Sequence, residues 1–342
     1  MTLVLRRGHV VEAGAADGPE QRLSVDVPGR GPRAAIADVA LVGAAQRGDD
    51  VVVNTQAADL ALGSGGFDVV HVNLTRGLDG EGVRGAHVMK LNYSSLQHAV
   101  LPVEGPGLHA PLGRPVGVAS LHGQLAPLAW AAGRARPGLR LGYVQTPGGA
   151  LPGGHSRVVR TLRERGLLAG FLTAGAAYGG EGEAISTAGA LQHGLHDLGW
   201  DAAVCAPGPG ILGSASALGH GGMTALDSAH AALAMGCPVV LCARMSSGDE
   251  RERHRGLSHH TRTVLELLLA DVVVAAPPGA ADLVPAGPHH RVREGAADLG
   301  GYRTAALPDR TMGRTIDEDE LFFTAALAAG SVLAAARAEV AR

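Results

Sequence analysis

Pro115-Val116-Gly117-Val118-Ala119-Ser120-Leu121-His122-Gly123-Gln124-Leu125-Ala126-Pro127-Leu128-Ala129-Trp130-Ala131-Ala132 is the stretch whose reading decides the fold. A short run that is apolar on both alternating faces ends in a polar, glycine-bearing turn and passes into helical periodicity. A strand buried on both faces and followed by a helix is half of a parallel βα unit. The same change of pattern recurs downstream. Apolar runs lie at Leu141 to Gln145, Ala169 to Thr173, Ala202 to Cys205, Val239 to Ala243 and Val272 to Val274. Helical patterns lie near 124–134, 156–166, 183–199, 223–236 and 259–270, and the acidic run Asp317 to Glu320 opens a last helix. The prediction is a doubly wound, mostly parallel, Rossmann-like α/β domain over 113–342.

Upstream the pattern differs. Leu23 to Val27, Ala34 to Ala37, Val51 to Asn54 and Val69 to Val72 are short strand-like runs broken by turn signals such as Pro28-Gly29 and Gly48-Asp49-Asp50. Without long helical patterns between them, they predict a small β barrel or sandwich. A further extended segment, His87 to Tyr93, leads into a Pro/Gly-rich junction, so this first domain is read as 1–112. Strand alternation there sets Lys90 and Asn92 on one face and Tyr93 on the other. No internal repeat is visible.

The 342-residue chain carries a formal charge of −3, which argues against nonspecific nucleic-acid binding. No apolar run approaches a membrane span, and the opening residues lack the order of a signal peptide, so the expectation is a cytoplasmic protein. The three cysteines, Cys205, Cys237 and Cys242, show no paired spacing and read as small buried hydrophobes. The sole lysine, Lys90, sits among residue types that are rare elsewhere in the chain. It either brings a charge to a ligand site or serves a domain interface.

In an open parallel sheet, ligands bind beyond the carboxyl ends of the strands, where helix N-termini also point. Five loops at those ends are rich in glycine and polar residues, which suits the close approach of backbone amides to an anion. They hold His122; Gln145; the segment after Thr173; Gly208, Gly210, Gly213, Ser214, His220 and Gly221; and Arg244, Ser246, Ser247, Asp249, Arg255, His259 and His260. Gly208-x-Gly210-x-x-Gly213 matches a dinucleotide fingerprint, and Arg244 with its serines suits a 2′-phosphate. The helix arrives about ten residues late, however, and this is not the first βα unit. The histidines are candidate metal ligands or acid/base groups. Ser258 reads as an N-cap, so His259 and His260 lie in one first turn and diverge by about 100°, which disfavours joint ligation. Arg251, Arg253 and Arg255 form a mixed-charge turn, and Arg244 is the stronger anion fork. No Walker motif is present.

The segments Val88 to Val100, Leu121 to Pro127, Tyr143 to Thr146, Gly208 to Ser214 with Leu218 to Met223, and Arg253 to Thr261 resemble the bacterial family catalogued as domain of unknown function 3866. The resemblance covers nearly the whole chain and implies no assigned activity, cofactor or site residue. Function is therefore read from the residues. The leading expectation is an enzyme acting on a small phosphorylated or otherwise anionic metabolite. Arg244 and the 208–223 amides would hold the anion, His122, His220, His259 or His260 would act as acid or base, and Ser214 or Ser247 would orient substrate. A non-catalytic nucleotide- or metabolite-binding regulator and an NADP-dependent oxidoreductase are the alternatives. A homo-oligomer is compatible with either, and the sequence names neither a metal nor a cofactor.

Overall fold

The computed structural model describes residues 2–62 and 65–336. The chain forms two compact units, Met1–Val100 and Leu101–Arg342.

The first unit is a closed five-stranded barrel. Its strands are β1 (Leu5–Asp17), β2 (Glu20–Val27), β3 (Gly31–Asp38), β4 (Asp50–Asn54) and β5 (Asp68–Asn73), in the order β1-β2-β3-β5-β4. The long β1 pairs with β4 through its first residues (Leu5 with Asn54) and with β2 thereafter (Val10 with Val25). Gly8 sits where it changes partner, and a Cβ there would come within 2.7 Å of the Asp26 carbonyl oxygen. All pairs are antiparallel except β3 with β5. Alternation sends Val10, Leu23, Val25, Val27, Val51, Val53 and Val70 into the interior. Two single-turn helices, α1 (Val39–Val42) and α2 (Gln56–Asp59), join strands. A hairpin of β6 (Val88–Lys90) and β7 (His98–Val100) follows. The extended segment read to Tyr93 stops at Lys90. Leu91 and Tyr93 take left-handed φ values of 50° and 59°, so the face alternation expected for Lys90, Asn92 and Tyr93 does not apply.

The second unit is built on eight parallel strands: β8 (Val116–Ala119), β9 (Leu141–Thr146), β10 (Gly170–Ala174), β11 (Gly182–Ala184), β12 (Ala202–Pro207), β13 (Val239–Cys242), β16 (Val272–Ala276) and β17 (His290–Glu294). Their order is β11-β10-β9-β12-β8-β13-β16-β17. A short ribbon, β14 (Met245–Ser246) with β15 (Gly256–Leu257), follows β13, and β18 (Arg310–Thr311) with β19 (Arg314–Thr315) form another. The six runs singled out in the sequence are β8, β9, β10, β12, β13 and β16.

Helices cover both faces. On one lie α3 (Leu125–Ala135), α4 (Arg157–Glu164), α8 (Leu299–Thr304) and α9 (Glu320–Ala335), packed on Leu141, Tyr143, Val204 and Val240. On the other lie α5 (Thr187–Gln192), α6 (Thr224–Ala234) and α7 (His259–Glu266), packed on Val116, Val118, Cys205 and Leu241. Right-handed crossovers account for this division. Steps in one direction along the sheet (β8 to β9 to β10) put their helices on one face, and steps in the other (β11 to β12 to β13 to β16) put theirs on the opposite face. The order departs from the 3-2-1-4-5-6 dinucleotide-binding arrangement because β12 inserts between β9 and β8. Residues 101–112, grouped above with the first domain, hydrogen-bond within the second unit, Val103 N–H to Glu183 and Leu112 N–H to Met235.

Glycines inside two strands have a packing cause. Trp200 is fully buried, and Cβ atoms at Gly142, Gly170 or Gly194 would fall 1.8, 2.7 or 2.3 Å from its ring. Only glycine lets the indole lie flat against the sheet there.

Candidate functional site

The direction of winding reverses around β8. The helix after β8 leaves on one face, while those after its neighbours β12 and β13 leave on the other, and at such a switch point the loops part to form a crevice at the carboxyl edge. Ser120 and His122 leave β8, His220 to Met223 lead into α6, and Arg244 to His260 run from β13 into α7.

Four histidines gather there. The His220 and His260 rings stack with centroids 3.5 Å apart and planes 10° from parallel. His259 lies 4.5 Å from His260 and 5.4 Å from His220, and His254 lies 5.0 Å from His260. The expected divergence of His259 and His260 is overturned. One ring nitrogen from each, with one from His220, all fall within 4.8 Å of one another. Helical side chains lean back toward the N-terminus, and at the first turn of α7 both meet in the crevice. Ser258 is the N-cap, its Oγ accepting from His260 N–H and pairing with His254 Nδ1 at 2.7 Å. Gly222 completes the cluster. A Cβ there would sit 3.0 Å from His220 Nδ1, 3.1 Å from His260 Nδ1 and 3.4 Å from Ser120 Cβ.

Arg244 is buried beneath this cluster. Its backbone is fixed by Thr261 Oγ1, which accepts its N–H, and by Ser258 N–H, which donates to its carbonyl. Its Nη1 donates to His260 Nδ1 at 2.9 Å and its Nη2 to the Met312 sulfur at 3.5 Å. The carboxylate nearest it, Asp249 at 3.6 Å, is shared with Arg251 at 2.8 Å and Arg314 at 3.3 Å. Burial works against the Asp249 charge, but those arginines more than offset it and hold the carboxyl well below its ordinary range. Burial lowers Arg244 to about 10 against the attraction of Asp249. Cationic groups thus outnumber carboxylates.

The histidines are held neutral. Burial first, then the Arg244 charge, pushes His254 down to about 3 and His260 to about 2. Burial and the His220 ring lower His259, and burial lowers His220 against a weak contribution from the Ala217 carbonyl. Several buried polar atoms lack a well-formed hydrogen bond: Ser120 Oγ, both ring nitrogens of His220, His259 Nε2 and Arg244 Nε. Such groups cost free energy unless a ligand or water engages them.

A metal ion suits this arrangement poorly. Imidazole lone pairs lie in the ring plane, so an ion bridging rings stacked at 3.5 Å would sit roughly 1.7 Å out of both planes at ordinary metal–nitrogen distances. His260 Nδ1 already accepts from Arg244, which leaves the proton on Nε2 and no free lone pair. An acceptor-rich anion fits better.

The family model described as protein of unknown function (DUF3866) matches residues 34–330. The chain belongs to this family. No curated protein and no solved structure matches it. The match runs from the third strand of the barrel into α9, so it takes in every loop of the crevice.

In this family member the other residues singled out from sequence are placed as follows. Gly208 and Gly221 serve loop packing, since Cβ atoms there would meet the Ala150 carbonyl at 2.2 Å and the Gly148 carbonyl at 1.8 Å. Gly210 is glycine for its φ of 65°. Gly213 bridges His220 at the base of an exposed excursion, and the adjacent Ser214 bonds to Ser216 and to the Gly219 carbonyl within it. No helix begins at Gly213, and the fingerprint therefore lacks its N-terminal amides. Ser246 and Ser247 are engaged by the buried Asp319, which Ser246 Oγ reaches at 2.7 Å and Ser247 N–H at 2.8 Å. Arg255 is exposed and donates to the Asp249 carbonyl. Gln145 is buried, Nε2 on the Ala150 and Leu151 carbonyls and Oε1 open. Lys90 is buried within the barrel unit. All three cysteines are buried, and burial pushes the Cys237 thiol up to about 12.

Sequence reasoning missed two serines at this sheet edge. Ser120 had no signal beyond its place at a strand end. Ser156 was legible only as the N-cap of α4, yet its Oγ also meets His122 Nε2 at 2.7 Å. No helix among the described residues is long and apolar enough to cross a membrane.

Proposed function

We propose that the second unit binds a small anionic metabolite, a phosphate ester or a comparable oxyanion, in the crevice at the carboxyl edge of β8, β12 and β13, and acts on it by acid–base chemistry. One observation carries the reading: Arg244 Nε, both His220 nitrogens, His259 Nε2 and Ser120 Oγ are buried without well-formed partners around Gly222. The carboxylate paired with Arg244, Asp249 at 3.6 Å, is already shared with Arg251 and Arg314. An oxyanion supplies acceptors for Arg244 Nε, Ser120 Oγ and the protonated nitrogen of His220, and counter-charge for Arg244. His259, half-buried and with Nε2 open, is the group best placed to exchange a proton with a bound substrate.

The test is calorimetric titration of the full chain with inorganic phosphate, sulfate and a panel of sugar phosphates and carboxylic acids, followed by product analysis. Binding of phosphate that is lost in His220→Asn and Arg244→Gln, with each variant still folded, is the expected result. Unchanged phosphate affinity in both variants refutes the site. Zinc binding that survives in Arg244→Gln and excludes phosphate would replace the anion reading with a metal one. A bound ligand recovered unchanged would leave a binding protein without catalysis.

A further inference from the structure

We infer that Ser156 and His122 form a nucleophile–base pair for acyl transfer, a second chemical centre at the same sheet edge. His122 Nδ1 faces the Pro207 carbonyl at 3.3 Å. A carbonyl only accepts, so the proton sits on Nδ1 and the Nε2 lone pair is left to receive the Ser156 hydroxyl proton at 2.7 Å. The Tyr143 hydroxyl, its one proton shared between the Ala206 and Pro207 carbonyls at 3.2 and 3.3 Å, lies 3.4 Å from His122 Nδ1 and holds that end of the relay. Nucleophile, base and orienting acceptor thus stand in the serial order that activates a serine.

Capping explains only half of this geometry. As N-cap of α4, Ser156 Oγ accepts from Val159 N–H at 3.2 Å, a task that uses a lone pair and needs no histidine. The donor side of the hydroxyl is what His122 takes. The pair comes from different loops, His122 after β8 and Ser156 after the glycine-rich turn that follows β9, so local sequence does not force them together. Backbone fixes Ser156 from below. Gly153 N–H donates to the Tyr178 carbonyl and Ser156 N–H to the Gly153 carbonyl. The Arg157 and Val158 amides that open α4 have no carbonyl within the helix, which suits them to a developing oxyanion, while the Val159 amide is taken by Ser156 Oγ.

Ser156 Oγ attacks the carbonyl carbon of an ester or thioester, and its proton passes to His122 Nε2. The leaving alcohol or thiol departs with that proton, and the acyl group stays on Ser156. Water then attacks the acyl-serine, giving its proton to His122, which returns it to Oγ as the acid leaves. Burial holds His122 at about 4, against a small opposing effect of the Pro207 carbonyl, so the imidazolium exists only beside the oxyanion that forms with it. Ser156 and His122 retain only 3% and 7% exposure, which restricts the class to small acyl groups.

The inference stands apart from the anion site, and its test does not use that site. The full chain is incubated with a small alkyl fluorophosphonate, and the adduct is mapped by peptide mass spectrometry. Ser156 Oγ displaces fluoride from phosphorus, its proton leaving through His122. The expected result is a single adduct on Ser156, slowed about a hundredfold in His122→Gln. It should be absent in Ser156→Asn, which keeps the capping acceptor. No adduct on Ser156 in the folded wild type, or one formed equally fast in folded His122→Gln, overturns the assignment.

Discussion

Acid should unfold the second unit well before its carboxylates titrate. His122, His254 and His260 are neutral in the fold, with values pushed down to about 4, 3 and 2, whereas each titrates near 6.5 once unfolded. The unfolded chain therefore binds more protons below pH 6.5, and stability falls with pH through that window. The contribution is fully present above 6.5 and is lost on the way down toward the folded values. Between pH 7 and pH 5 the linkage amounts to about 2 kcal/mol for each residue that stays neutral in the fold. Three such residues give about 6 kcal/mol, comparable with the whole stability of an ordinary domain. His220 and His259 shift in the same direction. Asp249 remains charged over this range, because its carboxyl is held well below ordinary values. Urea unfolding of the full chain, followed by tryptophan fluorescence, should show the midpoint falling by roughly 2 M or more from pH 7 to pH 5 at constant m. His260→Gln should remove about a third of that loss. Saturating sulfate should shallow it by stabilising the protonated rings. A midpoint that moves by less than roughly 0.5 M would show that the histidines are not held neutral by burial.

Three substitutions probe the packing of the second unit. Gly222→Ala puts a methyl 3.0 and 3.1 Å from the stacked rings, so phosphate affinity should drop about tenfold or more while stability falls by only about 1 kcal/mol; retained affinity would place the ligand elsewhere. Asp319→Asn removes the buried carboxylate that Arg314 Nε meets at 2.9 Å, leaving Arg314 to share Asp249 with Arg251, and should cost about 3 kcal/mol in chemical denaturation. Gly142→Ala would drive a methyl to 1.8 Å from Trp200, and loss of a cooperative unfolding transition, or a penalty above about 3 kcal/mol, is the expected readout.

Most of the sheet was legible because six of its strands are continuous apolar runs. β11 and β17 were not, since each is an edge strand with half-buried or exposed polar residues, such as Glu183 and Arg291, that carries no buried period. The helical pattern over 183–199 merged three elements: β11, α5 and one wider helical turn at His193–Asp197. Glycines misled in a consistent way. Gly208 and Gly221 look like phosphate-loop residues, but the backbone of 148–150 pressing on them is a contact between loops more than fifty residues apart. The acidic run at 317–320 did open a helix, yet Asp319 binds Ser246, Ser247 and Arg314 and not its own helix amides. Arg244 was recognisable from its place at a strand end. The stacking of His220 on His260 was not, because it depends on two loops brought together by strand order alone.

That order also governs how the chain reaches its fold. β8 is the first strand of the second unit to be synthesised and lies between β12 and β13, whose pairing residues, Ala203 and Val239 opposite Val116, come about 90 and 120 residues later. Until both have emerged from the ribosome, β8 has neither neighbour to hydrogen-bond, and its continuous apolar run must be shielded in other ways. High sequence separation between paired strands slows folding, so refolding from denaturant should be slow and prone to aggregation at early times. Because β8, β12 and β13 form the crevice floor, any chain released before about residue 239 would lack both the β8–β13 pairing and Arg244 with its partners on α7. Ligand binding during refolding should therefore report completion of the central sheet, and not the earlier closing of the β9–β10 edge.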